Sequence, residues 1–126
     1  MPRTAVTPRA LVANSTLIGT SGATTIDATL VTNGVSVTGA IPEQTVIRVT
    51  NTEGSTNTVT VQSGAVPPAL AGGLGDLVVT VAATTGVQYI GPLESGRFMQ
   101  SDGSLWLDFE SGMTGAIDIL TVPRNA

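Results

Sequence analysis

The sequence contains no cysteine, no histidine and no lysine, and these absences exclude most common kinds of catalytic and metal site. Without cysteine or histidine, the chain lacks the usual ligands of zinc, haem and iron–sulfur centres. It also lacks the side chain that most often transfers protons at neutral pH. Without lysine it forms no Schiff base and offers no P-loop lysine to a phosphate, and its serines have no evident base. We expect no enzymatic activity, no catalytic residues, no metal and no bound cofactor.

Charged residues are also scarce, at 11% of the sequence, against about 25% in an ordinary soluble domain. The formal net charge is −4 and the five basic residues are scattered arginines, which argues against binding to nucleic acid. Polarity comes instead from threonine, serine, asparagine and glutamine. Such a surface can be buried against neighbouring molecules at low desolvation cost, which favours a subunit of a larger assembly. Alternatively, threonine is abundant only because it suits the solvent face of β-strands.

Long apolar runs are absent as well. No stretch approaches the roughly 20 apolar residues of a membrane span, so we expect no membrane association. The opening residues, MPRTAVTPRALVANST, contain no apolar run of signal-peptide length. We therefore expect synthesis in a cytoplasm.

What the chain does contain is a series of short β-branched runs, separated by 15 glycines and 7 prolines. The spacing predicts an all-β fold: a single antiparallel β-sandwich or β-barrel with about seven or eight strands. Residues 1–22 are predicted to be an extended N-terminal arm that becomes ordered against another molecule. Residues 23–126 are predicted to be the β-domain, with a glycine- and proline-rich loop at 63–75.

Turn residues predict how several strands pair. Three hairpins are predicted: Val46–Thr50 with Thr58–Gln62, Ala28–Thr32 with Val35–Thr38 around Asn33-Gly34, and Phe98–Gln100 with Leu105–Phe109 around Asp102-Gly103. Leu77–Ala82 is predicted to be continued by, or paired with, Val87–Ile90, and Ala116–Val122 is predicted to be the last strand.

Alternation along two strands predicts which side chains point inward. The predicted inward residues are Leu105, Leu107, Phe109, Ile117 and Ile119, and the predicted outward residues are Trp106, Asp108, Glu110 and Asp118.

Trp106 is the only tryptophan, and three roles are open for it. It could belong to the core beneath the arm or the 63–75 loop, it could anchor a protein interface, or it could stack on a sugar. Asp108 and Glu110 share its face, but glycoside hydrolysis needs two acids about 5–10 Å apart across a cleft, and neighbouring acids on a strand are usually only solvated. Gly72–Gly75 precedes a strand rather than a helix, which indicates a loop and not a phosphate site. Asp102-Gly103-Ser104 indicates a turn, because the rest of a calcium loop is missing.

The arm and the tryptophan together form the predicted partner interface. The candidate residues are Pro2, Arg3, Val6, Pro8, Arg9, Leu11 and Trp106.

Three segments carry a resemblance to a known family. The opening MPRTAVTP, the stretch VTVAATTGVQYIGPL and the stretch DGSLWLDF before the last strand resemble small proteins encoded beside the major capsid protein of tailed bacteriophages. In that family an "IGP" follows a strand, as Ile90-Gly91-Pro92 follows Val81-Ala82-Ala83 here. The similarity covers about the first ten residues and Thr45 to Val122.

The resemblance implies a structural virion protein. Such a head decoration (cement) protein is a compact β-sandwich or β-barrel on the capsid exterior, where it binds the major capsid protein at capsomer junctions, often as a homotrimer. Two alternatives remain open: a tail or head–tail connector subunit, and a carbohydrate-binding surface module that uses Trp106.

Overall fold

The computed structural model describes residues 3–11, 24–39, 41–64, 75–100 and 103–122. Most of these residues form two five-stranded sheets that face each other, so the predicted all-β fold is confirmed. The two sheets form a sandwich and do not close into a barrel. The predicted boundary between arm and domain, at residues 22 and 23, lies outside the described residues.

The first sheet has the strand order β1-β4-β9-β6-β7. Its strands are β1 (Thr4–Val6), β4 (Val35–Val37), β9 (Leu105–Phe109), β6 (Asn57–Val61) and β7 (Leu77–Val81). The second sheet has the order β2-β10-β5-β8, and β3 also pairs with β10. Its strands are β2 (Arg9–Ala10), β10 (Gly115–Thr121), β5 (Thr45–Asn51), β8 (Gly86–Ile90) and β3 (Thr24–Ile26).

Alternating apolar residues build the core between the sheets, because successive side chains of a strand point to opposite faces. The inward positions of β5, β6 and β9 are fully or almost fully buried and the positions between them are half-buried. Prominent core residues are Ile47, Val49, Val59, Val61, Leu105, Leu107, Phe109, Ile117 and Ile119. The inward and outward faces predicted for β9 are therefore confirmed.

The predicted hairpin of Val46–Thr50 with Thr58–Gln62 is wrong, because β5 and β6 lie in different sheets. The connection crosses the end of the sandwich, and two buried asparagines satisfy its backbone. Asn51 Nδ2 donates to the carbonyl oxygens of Ser55 and Ala82 at 3.0 and 3.2 Å. Asn57 Nδ2 donates to Ser55 O and to Glu53 Oε1, both at 3.1 Å. A crossing of this kind leaves both strands facing the same core, so the apolar pattern alone does not separate it from a hairpin.

The predicted strand at Ala28–Thr32 is also wrong, since residues Ala28–Asn33 form helix α1. Asp27 caps its first turn by accepting a hydrogen bond from Leu30 N at 2.9 Å. Gly34, at φ +77°, ends the helix in a backbone region that favours glycine. The Asn33-Gly34 pair therefore marks a helix end rather than a hairpin turn.

Two further pairings differ from the prediction. Ser95–Phe98 forms the short helix α2, and β9 pairs with β4 and β6 rather than with residues 98–100. Strands β7 and β8 are neither continuous nor paired, because the turn between them passes from one sheet to the other. A 3-10 helix at Pro42–Gln44 precedes β5.

Among the described strands, the two parallel pairs both involve the N-terminal arm. Strand β1 runs parallel to β4 and β2 runs parallel to β10, whereas the other described strand pairs are antiparallel. Both sheets are therefore mixed, which the antiparallel prediction did not include. The described part of the arm, residues 3–11, lies on the sheets of its own chain and crosses from one sheet to the other.

Candidate assembly surfaces

The first candidate surface is the place where the arm binds, which we call the arm seat. It consists of the β4 edge of the first sheet, the β10 edge of the second sheet and two acidic residues, Asp108 and Asp118. Each acidic residue binds one arginine of the arm. The seat thus combines backbone pairing with charge recognition.

Arg3 binds the outer face of the first sheet. Its Nη1 donates to Asp108 Oδ1 at 2.8 Å and to Leu107 O at 3.1 Å. Its guanidinium carbon also lies 4.7 Å from the centroid of the Trp106 ring, a cation–π distance. The other carboxylate oxygen of Asp108, Oδ2, accepts a hydrogen bond from Gln62 Nε2. A methyl group at Gly34 would collide with Arg3 and Asp108, so this glycine leaves room for the ion pair as well as ending α1.

Arg9 binds the outer face of the second sheet. Its Nε donates to Asp118 Oδ1 at 2.9 Å and its Nη2 donates to Oδ2, which makes the contact bidentate. Arg48 Nη2 lies 3.4 Å from the same Oδ2. Asp118 is only 3% exposed, so its carboxylate is buried between two arginines. The hydrogen bonds from Arg9 to Asp118 raise the pKa of Arg9 above its ordinary value, with a smaller contribution from the opposite charge.

The seat brings together several of the predicted interface residues. Arg3, Arg9 and Trp106 lie in it, Val6 packs against the core, and Pro8 and Leu11 are half-buried. Pro2 lies outside the described residues. Sequence reasoning missed the role of Asp118: alternation placed it on the outward side, but its two arginine partners are distant in sequence.

Trp106 is half-buried on the outer face of the first sheet rather than in the core between the sheets. A sugar stacked on the ring face that Arg3 covers would have to displace this arginine. The neighbouring acids are also engaged: Asp108 binds Arg3, and Glu110 Oε1 accepts a hydrogen bond from Thr58 N at 2.9 Å. The outer face around Trp106 is therefore occupied by contacts within the chain.

Because Trp106 is the only tryptophan, its fluorescence should report whether Arg3 is bound in the seat. We expect Arg3→Ala to increase the quenching of Trp106 by acrylamide and to shift its emission to longer wavelength. The loss in stability should stay below about 1 kcal/mol, because the ion pair is partly solvated. Arg97→Ala is the matched control, since Arg97 lies over Phe98 instead. Equal quenching in Arg3→Ala and the wild type would contradict the contact.

A groove of about 600 Å³ lies beside the seat on the outer face of the second sheet. Its lining includes Thr25, Asp27, Arg48, Thr50, Ala116 and Asp118. The charged pair in this lining, Arg48 with Asp118, is shared with the arm seat. The groove thus adjoins the seat through this pair, and most of its lining surface is apolar.

The second candidate surface lies on the opposite border of the sandwich, and we call it the β7–β8 border. Strands β7 and β8 end their sheets, so within the described ranges each has a strand partner on one side only. The sequence from Leu77 to Leu93 contains no charged residue. Three large apolar side chains are exposed on its two strands: Val78 at 59% on the outer face of the first sheet, and Val87 at 45% and Tyr89 at 65% on the outer face of the second.

An uncharged edge of this kind is unusual for a strand that faces water. Solitary proteins commonly protect exposed edge strands with charged residues, proline or bulges, because unpaired backbone groups otherwise invite pairing with another chain. Here β7 and β8 carry none of the charges and no proline. The β7–β8 border is therefore suited to contact with another protein.

The described part of the chain includes no group of three or more acidic side chains placed to hold a metal ion. Among the described helices, none is long and apolar enough to cross a membrane.

Comparisons with protein families, with curated proteins and with solved structures gave no match for this chain.

Proposed function

We propose that this protein is a structural subunit of a tailed-bacteriophage virion. It decorates the capsid exterior by binding the major capsid protein where capsomers meet, and it stabilises the shell. It acts as a homo-oligomer, with a trimer as the expected form, and it has no catalytic role. It is made in the host cytoplasm and functions on the virion.

The observation that carries this proposal is the uncharged β7–β8 border. Val78, Val87 and Tyr89 are exposed there on strands that each have a single partner among the described strands, and the acids of the arm seat are occupied by arginines of the same chain. A lattice contact made on this border therefore buries apolar area and leaves no unpaired charge behind. Many copies of a modest contact stabilise a shell through multivalency.

The sequence resemblance supports the virion as the location. It rests on the segments MPRTAVTP, VTVAATTGVQYIGPL and DGSLWLDF, and the second of these lies almost entirely in the β7–β8 border. A tail or head–tail connector subunit is the alternative within the virion. A carbohydrate-binding module is the alternative outside it, although Arg3 lies over the ring that would stack on the sugar.

The test is binding to shells assembled from the major capsid protein that the proposal expects to be encoded beside this chain. We expect the purified protein to co-sediment with these shells and to raise their melting temperature. Tyr89→Glu places a charge in the β7–β8 border and should weaken binding at least about tenfold, or 1.4 kcal/mol. The control is Thr29→Glu. Thr29 is exposed in the first turn of α1, on the side of the sandwich away from the β7–β8 border. An acid is tolerated there because it lies at a helix N-terminus.

The two variants should melt within a few degrees of the wild type, so that a loss of binding reports on the surface. Failure of the wild type to bind shells would overturn decoration. Electron microscopy of the isolated protein separates the alternatives: trimers are expected, whereas six-fold rings that ignore shells would favour the tail. Equal weakening by Thr29→Glu would show that the β7–β8 border is not the contact.

A further inference from the structure

We propose that copies of this chain exchange their arms, so that residues 3–11 of one copy occupy the arm seat of a second copy. In the exchanged assembly, Arg3 and Arg9 of one copy pair with Asp108 and Asp118 of its neighbour. The same strands form as in the single chain, β1 on β4 and β2 on β10, but between copies. This inference rests on the self-association contained in the proposed function and names the segment that mediates it.

The length of the chain that follows the arm supports exchange. Ala10 and Thr24 pair with Thr121 and Ile117 of β10, positions four residues apart on one edge, a separation of about 13 Å. The chain from Ala10 to Thr24 contains fourteen residue steps and can span up to about 46 Å when extended. A domain of this size is about 30–35 Å across. The connection is therefore long enough for the arm to reach a neighbouring copy.

The way the arm is held also supports exchange. Strands β1 and β2 contain three and two residues, and among residues 3–11 none is buried. The charged contacts of the arm are the two ion pairs on the outer faces of the sheets. Val6 packs against the border of the core, but it is only half-buried. Release of the arm therefore uncovers one border of the core and leaves its fully buried residues in place.

Asp118 explains why the seat favours exchange over release of the arm to a different surface. Its carboxylate is 3% exposed and receives its two best hydrogen bonds from Arg9. An arm that left for another protein would remove these bonds and uncover the edges of β4 and β10. Reciprocal exchange refills each seat with an identical arm, so every contact is kept. In an assembly where copies are neighbours, the free-energy cost of exchange is therefore small.

The absence of cysteine gives a clean test, because introduced thiols are the only ones present. Ala5 and Ser36 are directly opposite in the β1–β4 pair. We would co-express a tagged Ala5→Cys chain with an untagged Ser36→Cys chain and treat the purified assembly with a short bismaleimide. Arm exchange predicts a tagged–untagged crosslinked dimer on a denaturing gel. The control pairs Ala5→Cys with Thr80→Cys, an exposed position on β7 at the far border.

We expect the Ala5→Cys and Ser36→Cys pair to give at least several-fold more crosslinked dimer than the control pair. A single chain carrying both substitutions establishes whether the seat is occupied at all. Crosslinking only within that chain, with the mixed pair at the control level, would overturn exchange. No crosslink in either sample would overturn it too, because β1 would then not lie on β4.

The same preparation separates this inference from the proposed function. Shell binding without an intermolecular crosslink would leave decoration standing and remove arm exchange. A crosslinked dimer that binds no shell would leave arm exchange standing and remove decoration.

Discussion

Replacing Asp118 with alanine should lower the free energy of unfolding by about 3 kcal/mol, because it removes the buried partner of two arginines. Arg9 and Arg48 would then face each other across a vacated site without the carboxylate that now binds both. For a domain of this size the loss corresponds to a fall in melting temperature of roughly 12 °C. Thermal unfolding followed by circular dichroism measures it directly.

Asp108→Ala is the matched control for Asp118→Ala. It removes the other arm-binding carboxylate, but Asp108 is 38% exposed and its pair with Arg3 is partly solvated. The expected loss is below about 1 kcal/mol. Similar losses for the two variants would mean that burial does not determine how much Asp118 contributes to the free energy of unfolding. If Asp118→Ala were as stable as the wild type, the pairing of Asp118 with Arg9 would contribute little to stability. An empty seat would then have no need of a second arm.

The sequence was sufficient to predict the class of fold and the faces of the clearest strand. In β9 every second residue is apolar, and the structure places Leu105, Leu107 and Phe109 in the core, as predicted. The outward position of Trp106 follows from the same alternation. Period-two patterns are reliable here because a shift by one residue would move the whole apolar set to the outer face.

Strand pairing was harder to predict, because alternation says which face is buried and not which strand is adjacent. Strands β5 and β6 have the pattern of a hairpin, yet Asn51 and Asn57 support a crossing between sheets. Helix α1 was missed because its six residues are short of a full amphipathic repeat and include β-branched threonine and valine. Its Asp27 cap was the available signal, and the Asn33-Gly34 pair favoured the competing turn.

The arm seat shows what a local reading of the sequence leaves out. Six residues of the arm were predicted to lie in an interface, and two of them, Arg3 and Arg9, bind acids in the domain. Those acids lie more than 100 residues further along the chain, in β9 and β10. An aspartate on the outward side of a strand is ordinarily solvated, so nothing in the sequence near Asp118 indicates that it is buried. The site exists only once the arm is placed on the sheets.

Leu107→Ala should be the most destabilising truncation in the core of the first sheet. Leu107 has no exposed surface and lies at the centre of β9, opposite Val35 on β4 and Val61 on β6. Removing three carbon atoms there leaves a cavity that two neighbouring strands prevent from collapsing, so we expect a loss of about 3–5 kcal/mol. Chemical denaturation should show a lower midpoint with an unchanged slope.

Val78→Ala is the control on the same sheet, because Val78 is 59% exposed on β7. Its truncation should change stability by no more than about 0.5 kcal/mol. The pair also separates folding from assembly: Leu107→Ala should lose both stability and shell binding, whereas Val78→Ala should keep its stability and weaken binding alone. Losses of equal size in unfolding free energy would show that the Val78 side chain is buried, and the β7–β8 border would then no longer be available as a surface for partners.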